Sequence, residues 1–412
     1  MTLKKNKNFC IMPHTHMEIA PRGHALPCCA FKLEEAGDSF NISQPNVSRS
    51  PIKTIFEKHY IWEKSRILSL KNEVNPGCQQ CHSEEEAGLI SYRMNSNDKF
   101  YEYINLDEDT HKLLSLELKL GAKCNLACRI CSSTHSNKLL KEDSFKIFGK
   151  ANKEWMQDMQ SKSEWATSDD WWEQVYGISK DLKYIKFTGG EPLIIEQHFK
   201  YLEWLAENGL DPEISYITNG TVELSDKIKS IWSKFSKVHM SVSLDAVDEL
   251  GEYIRTNSQW EEQKKNLDDY IKFLGIQNVT VTCTVSVLNV HKVGNFINFF
   301  KNNDKSQMGM VFNILVSPKE LSIRNLNDNS KNHLNLVYNN LINTNEEMPE
   351  HIINGLKNIQ NSFNRECLHN IDIASAIIKK DELYNSVNNG KQHNYKKLES
   401  EWFEIIKEGE KC

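Results

Sequence analysis

No run in this chain approaches the ~18–20 apolar residues of a membrane-spanning helix, so no membrane association is expected. A basic excess is missing too: 50 lysines and arginines face 56 aspartates and glutamates, for a formal net charge of −6. The acids are dispersed, and no cationic stripe forms the footprint of a nucleic-acid partner, so none is expected. The opening segment, MTLKKNKNF, has positive charge but no apolar segment behind it, which is not the pattern of a secretory signal. The expected compartment is the cytoplasm, where thiols stay reduced. Repeats are absent, and the one compositional bias is an asparagine-rich tract after Leu321 (RNLNDNSKNH), read as a linker.

Cysteine, by contrast, is plentiful, with eleven in 412 residues. Without disulfide-forming conditions, that number argues for metal ligation. Cys124, Cys128 and Cys131 stand in CNLACRIC with the spacing C-x3-C-x2-C, and the nearest later cysteine is Cys283. Thiolates so spaced, in a loop after a strand, can hold three irons of a cubane cluster and leave the fourth open. A zinc half-site or a run of buried core cysteines are the alternatives. Cys29, Cys283, Cys367 and Cys412 have no assigned role, and Cys283, alternating within a strand, reads as a small core residue.

The middle of the chain reads as strand-then-helix units. Strands are expected at 116–120, 183–187, 214–218, 238–244, 279–288 and 311–316, with amphipathic helices between them over 195–205, 224–235, 260–274 and 293–300. Six such units imply a parallel sheet curled by right-handed crossovers into a partial (β/α)6, TIM-like barrel of the α/β class. Functional groups then belong on loops at the carboxyl ends of the strands. One such end carries Gly189-Gly190-Glu191-Pro192, where glycines let backbone approach closely and Glu191 offers an acceptor for a cationic amine. Others carry Asn219, Ser243, Asp245 and Asn289, each of which alone could be a turn-former or cap. Four tryptophans, Trp155, Trp165, Trp171 and Trp172, lie between the first strand and GGEP and read chiefly as packing.

The cysteine triad and the GGEP turn together resemble the radical SAM superfamily. The resemblance implies that Cys124, Cys128 and Cys131 bind a 4Fe–4S cluster. It also implies that S-adenosylmethionine (SAM) chelates the open iron and meets Gly189, Gly190 and Glu191 through its amino group. Asn219, Ser243, Asp245, Arg255 (in GEYIRTNSQW) and Asn289 match positions that relatives place against the rest of the cofactor. The superfamily usually has an aromatic residue before the third cysteine, near the adenine; here it is Ile130, an apolar wall rather than a stacking ring. Upstream, Cys10-x12-Gly23-x4-Cys28 with Cys78-x2-Cys81 resembles the hairpin of SPASM and twitch domains. That implies an auxiliary 4Fe–4S cluster on Cys10, Cys28, Cys78 and Cys81, with zinc as the alternative metal and Cys29 as an alternative to Cys28.

The expected organisation is a cysteine-rich, twitch-like domain over 1–110, the radical SAM core over 111–320 and a C-terminal helical region over 321–412. In the first, 34–50 reads as a loop, 51–70 as one helix opened by Ser50, and the stretch with Glu85, Ser91 and Arg93 as a helix. In the last, helices are expected around 334–342, 352–363 and 371–378. The implied function is reductive cleavage of SAM to a 5′-deoxyadenosyl radical and hydrogen abstraction from a peptide or small-molecule substrate. A reductant such as flavodoxin or ferredoxin would supply the electron. A different reading is a non-catalytic iron–sulfur or zinc module that carries electrons. A general acid or base, the substrate and the oligomeric state are not legible.

Overall fold

The computed structural model describes residues 6–34, 43–86, 90–103, 111–303, 305–344, 348–367, 369, 371–388 and 392–408. Cys412 and part of the 34–50 loop lie outside the described residues. Eight strands form one unclosed sheet: β1 (His16–Ile19), β2 (Ala25–Leu26), β3 (Ser115–Lys119), β4 (Tyr184–Thr188), β5 (Glu213–Thr218), β6 (Val238–Ser243), β7 (Val279–Val285) and β8 (Gly309–Ile314). Their order is β2-β1-β3-β4-β5-β6-β7-β8, with β2 antiparallel to β1 and the pairs β1–β3, β3–β4, β4–β5, β6–β7 and β7–β8 parallel. The six expected strands are all present within about two residues at their starts. The two additional strands, HMEI and AL, are too short to show a period.

The chain forms two compact units, one of Met1–Lys123, Asp158–Tyr216 and Ser230–Val238, the other of Cys124–Gln157, Ile217–Lys229 and His239–Cys412. In the first, strand alternation sorts two kinds of side chain. Phe187 and Tyr216 lie on one face with ring centroids 5.4 Å apart, and Tyr216 meets Trp232 at 4.9 Å. Opposite-parity positions are polar: Glu18 pairs in register with Glu117, and Glu117 with Lys186. Trp165 and Trp171 pack edge to face at 4.5 Å, and Trp165 Nε1 donates to Pro21 O at 2.8 Å, so these tryptophans are packing residues.

The single helix expected over 51–70 is instead two, Ile52–Lys58 and Tyr60–Leu70. His59 is extended between them and its ring accepts the Ile61 N–H, so one residue ends the first helix and caps the second. Likewise Ser91 starts a separate helix, Tyr92–Phe100, by accepting the Met94 N–H at 3.1 Å.

In the second unit, β7 alternates strictly between buried and half-buried positions. The asparagine-rich tract is not a linker but the start of a helix, Asp328–Asn343. Asn327 caps it by accepting the Ser330 N–H at 2.8 Å. Ser330, Leu334 and Tyr338 make its buried stripe, while Asp328, Asn329 and Asn332 face solvent. The Glu350–Asn364 helix crosses β8, with Gly355 against the Phe312 ring. The third helix, Ile373–Val387, returns to the cysteine loop. No helix among the described residues is long and apolar enough to cross a membrane.

Candidate iron–sulfur and cofactor site

The cysteine loop belongs to the second unit and is held by backbone bonds to the segment carrying Arg255. Ala127 N–H donates to Thr256 O at 3.0 Å and Arg129 N–H to Ile254 O at 2.7 Å. Within the loop, Cys131 N–H donates to Cys128 O at 3.1 Å, and Leu126 N–H points at Cys124 Sγ at 3.4 Å. Asn219 braces the first cysteine: its Nδ2 donates to Asn125 Oδ1 at 2.8 Å and lies 4.0 Å from Cys124 Sγ. Its Oδ1 accepts the Thr221 N–H and hydroxyl at 3.0 and 2.6 Å. Ile130 is half-buried between its cysteine neighbours.

Burial pushes the Cys128 and Cys131 thiols up, the latter to about 11, while the Arg255 guanidinium pulls both back. Arg255 itself is buried. Burial alone would lower its pKa, but Asp245, 2.8 Å away, and Cys128 outweigh that and hold it charged. Asp245 is buried and also accepts the Thr284 N–H at 2.8 Å. Asn289 spends its amide on the fold, donating to Asp245 O at 2.7 Å and Thr284 O at 2.9 Å and accepting the Ser286 N–H at 2.7 Å. Ser243 ends β6 half-buried, in register with Thr282 of β7. Asp245, Arg255, Asn289 and the triad are thus one connected arrangement.

The GGE turn belongs to the first unit, where it seats on the segment that leads into the cysteine loop. Gly190 N–H donates to Gly121 O at 3.0 Å and Glu191 N–H to Lys123 O at 2.9 Å. The glycines are required by this neighbour: a Cβ on Gly190 would lie 2.0 Å from Lys123 O, and Gly189 has φ +124 with Leu120 N 2.6 Å from its Cβ position. The close approach they permit is therefore to residues 119–123 as well as to any ligand. Glu191 is fully buried, and its carboxylate accepts the Leu193 N–H at 3.1 Å.

Also in the first unit, Cys10, Cys28, Cys78 and Cys81 line one small cavity with Met12, Ala30, Tyr92 and Arg93. The hairpin turns at Gly23, whose φ of +78 suits glycine, and is tied to the second cysteine pair by Lys32 N–H to Gly77 O at 2.9 Å. Ser69 Oγ accepts the Cys10 N–H at 2.9 Å. Cys28, not Cys29, faces this cavity; the Cys29 sulfur instead lies within 4.8 Å of carboxylate oxygens of Glu18 and Glu117. Burial pushes the Cys10 thiol up to about 12 and raises Cys28, Cys78 and Cys81 as well. Four thiols that line one cavity and resist ionisation alone are suited to act as donors to a metal, whose positive charge would supply what burial removes.

Two sets of residues escape the sequence reading. One is the Glu18–Lys119 and Glu117–Lys186 pairs, at 2.7 and 3.3 Å, beside Cys29. Burial raises Glu18, whereas for Glu117 burial is outweighed by Lys186 and Lys119, which hold it down. Their signal was charge inside strands (SLELK, YIKFT), masked there by the neighbouring apolar residues. The other set centres on Arg129 and Asp381, far apart in sequence, for which no local signal exists.

An open, mostly parallel sheet with a cysteine triad and a GGE turn at its strand ends defines the radical SAM class of fold. Residues 118–300 match the radical SAM superfamily and residues 10–82 match SPASM, an iron–sulfur cluster-binding domain. Residues 118–300 thus form a radical SAM domain, preceded in the chain by a SPASM domain over residues 10–82. The first match implies a 4Fe–4S cluster and SAM as cofactors, and the second an auxiliary iron–sulfur cluster. Among curated proteins nothing matches. Among solved structures, native anSMEcpe with bound AdoMet is similar at 18% identity and a TM-score of 0.35, over 56% of this chain and 62% of that one. Streptococcus suis SuiB bound to precursor peptide SuiA is similar at 14% identity and a TM-score of 0.39, over 80% of this chain and 71% of that one. The chain thus spans less than two thirds of the first of these proteins.

Proposed function

We propose that this protein is a radical SAM enzyme acting on a peptide or small-molecule substrate, with its reductive cluster on Cys124, Cys128 and Cys131. What carries the reading is a three-thiol loop laced to the strand-end segment that presents a buried, charged Arg255. When bound, the cluster and SAM supply an electron that cleaves the sulfonium and a 5′-deoxyadenosyl radical that takes a hydrogen atom from substrate.

The chain's own residues have separable parts in this proposal. Arg255 lowers the cost of ionising Cys128 and Cys131 and presents positive charge to a carboxylate. Asp245 keeps Arg255 oriented, and Asn289 fixes the Asp245 backbone. Asn219 holds the Cys124–Asn125 bend, while Gly189 and Gly190 admit the entry segment of the loop. Glu191 offers a buried carboxylate for an ammonium group, and Ser243 and Ile130 a hydroxyl and an apolar wall for the nucleoside. Cys10, Cys28, Cys78 and Cys81 would hold the auxiliary cluster, as a relay or acceptor of electrons. The working division into 1–110, 111–320 and 321–412, a cytoplasmic location, and flavodoxin or ferredoxin as reductant complete the reading.

The test is anaerobic reconstitution with iron counting and a dithionite-driven 5′-deoxyadenosine assay. Wild type is compared with Cys124→Ala/Cys128→Ala/Cys131→Ala and with Cys78→Ala/Cys81→Ala. About eight irons in wild type and about four in each variant are expected for two cubanes. Deoxyadenosine formation should vanish in the triad variant. A fully loaded, reduced wild-type protein that makes none, with or without candidate substrates, would refute the reading.

A further inference from the structure

Arg129 sits between Cys128 and Ile130, yet the residue is only 2% exposed and its side chain leaves the loop altogether. Its guanidinium donates to Asp381 Oδ1 at 2.5 Å, on the Ile373–Val387 helix 252 residues away in sequence. The rings of Tyr253 and Tyr384 flank it, their centroids 5.4 and 5.3 Å from the guanidinium carbon. Asp381 is fully used: it also accepts the Tyr253 hydroxyl and the Tyr395 N–H, each at 2.8 Å.

From there the chain of contacts returns to its start. The Tyr395 hydroxyl donates to Leu288 O at 2.7 Å. The next residue, Asn289, donates to Asp245 O, and Asp245 pairs with Arg255. Arg255 follows Ile254, whose carbonyl accepts the Arg129 N–H at 2.7 Å. The circuit is closed, buried and contained in one compact unit. A planar fork with two aromatic faces fixes orientation as well as position, which a lysine could not do. Such an expenditure is excessive for a surface turn, but it fits a loop whose sulfur positions matter to fractions of an ångström.

We propose that Arg129 and Asp381 are positioning residues for the triad, so that the C-terminal helical region sets the geometry of the SAM-binding iron. This rests on the reading of the triad as the reductive cluster, and it gives a role to residues outside the 118–300 match. Neither residue touches the reacting atoms; both act through the cysteine loop.

The test uses full-length, anaerobically loaded protein and the change in its reduced-state EPR spectrum on adding SAM. Only a cluster with an open iron position gives that change, so the auxiliary cluster does not contribute. Three variants are compared: Arg129→Lys, Asp381→Asn, and Arg129→Met/Asp381→Leu, which removes both charges while keeping bulk. The double variant leaves the Tyr253 hydroxyl and the Tyr395 N–H without their acceptor, so it should melt below wild type while still folding and binding wild-type iron. It should nevertheless need at least about tenfold more SAM for the spectral change and make deoxyadenosine about 10- to 100-fold more slowly. Arg129→Lys should fall between the two. If the double variant folds and responds to SAM as wild type does, the pair is merely structural and the proposal fails. If the double variant does not fold, Arg129→Lys decides: a wild-type response overturns the proposal, and a weakened one at wild-type iron content supports it. Loaded wild type without any SAM response would instead sink the triad reading itself, and this inference with it.

Discussion

Replacing Gly190 by alanine tests the coupling between the GGE turn and the cysteine loop. The added Cβ would lie 2.0 Å from Lys123 O and 2.5 Å from its carbonyl carbon, where ordinary contact begins at 3.4 Å. Both obstacles are backbone, so no side chain can swing aside, and the Lys123 carbonyl must retreat by about 1.4 Å. Lys123 is bonded directly to Cys124, so the first proposed cluster ligand moves with it. A misplacement of about 1 Å can cost on the order of 100-fold in rate, which is the expected fall in deoxyadenosine formation. Overpacking of this kind also costs about 1–3 kcal/mol, giving a lower melting temperature without loss of the fold. Gly177→Ala is the control, because nothing lies within 4 Å of its Cβ position. The assay is anaerobic reconstitution, iron counting and product quantification on both variants. A Gly190→Ala protein with wild-type rate and iron content would refute the reasoning, since the clash would then be absorbed elsewhere.

Three further predictions follow from the same geometry. Asp245→Asn strands the buried Arg255 without its counter-charge, and a loss of about 3–5 kcal/mol is expected in chemical denaturation of the metal-free protein. The raised N-terminal thiols make the metal-free protein alkali-sensitive. Unfolded thiols ionise near the ordinary value of 9.0, whereas burial keeps Cys10 protonated up to about 12. The unfolded state therefore holds fewer protons in that window, and stability present below pH 9 declines as pH rises toward 12. Melting of metal-free protein against pH checks the sign, and Cys10→Ser should flatten part of the slope. Lastly, Asn219→Ala removes three side-chain hydrogen bonds behind Cys124, each worth about 1 kcal/mol. It should lower triad iron retention under chelator challenge while leaving the auxiliary site loaded.

Local features were legible in the sequence to the extent that their physics is local. β7 announces itself because V-T-V-T-C-T-V alternates over seven residues, and the Trp260–Leu274 helix has its period intact over fifteen. The cysteine motifs point to metal ligation through spacing, while spacing alone leaves zinc and iron–sulfur both open at the N-terminal site. His59 was hidden because the broken helix keeps its composition on both sides, and the break lies in one residue's ψ. The asparagine-rich helix was misread because its polar residues mark the solvent face of an amphipathic element, not a tether. Asn289 could be placed near the site but not assigned a direction, since whether an amide faces a ligand or its own backbone is settled by tertiary neighbours. Arg129 and Asp381 lay beyond reach for the same reason.

Cys28 and Cys29 are adjacent yet serve different surroundings, one in the four-thiol cavity and the other beside Glu18 and Glu117. Hairpin length is therefore a frame, like codon reading. Removing one residue between Gly23 and Cys28 would still offer the cavity a sulfur, since Cys29 would slide into Cys28's place. The cysteine count would look undisturbed while the carboxylate pair lost its thiol. Homologous chains should be aligned on that glycine-to-cysteine interval rather than on the number of cysteines, because a tally would conceal the one edit most able to uncouple the two environments.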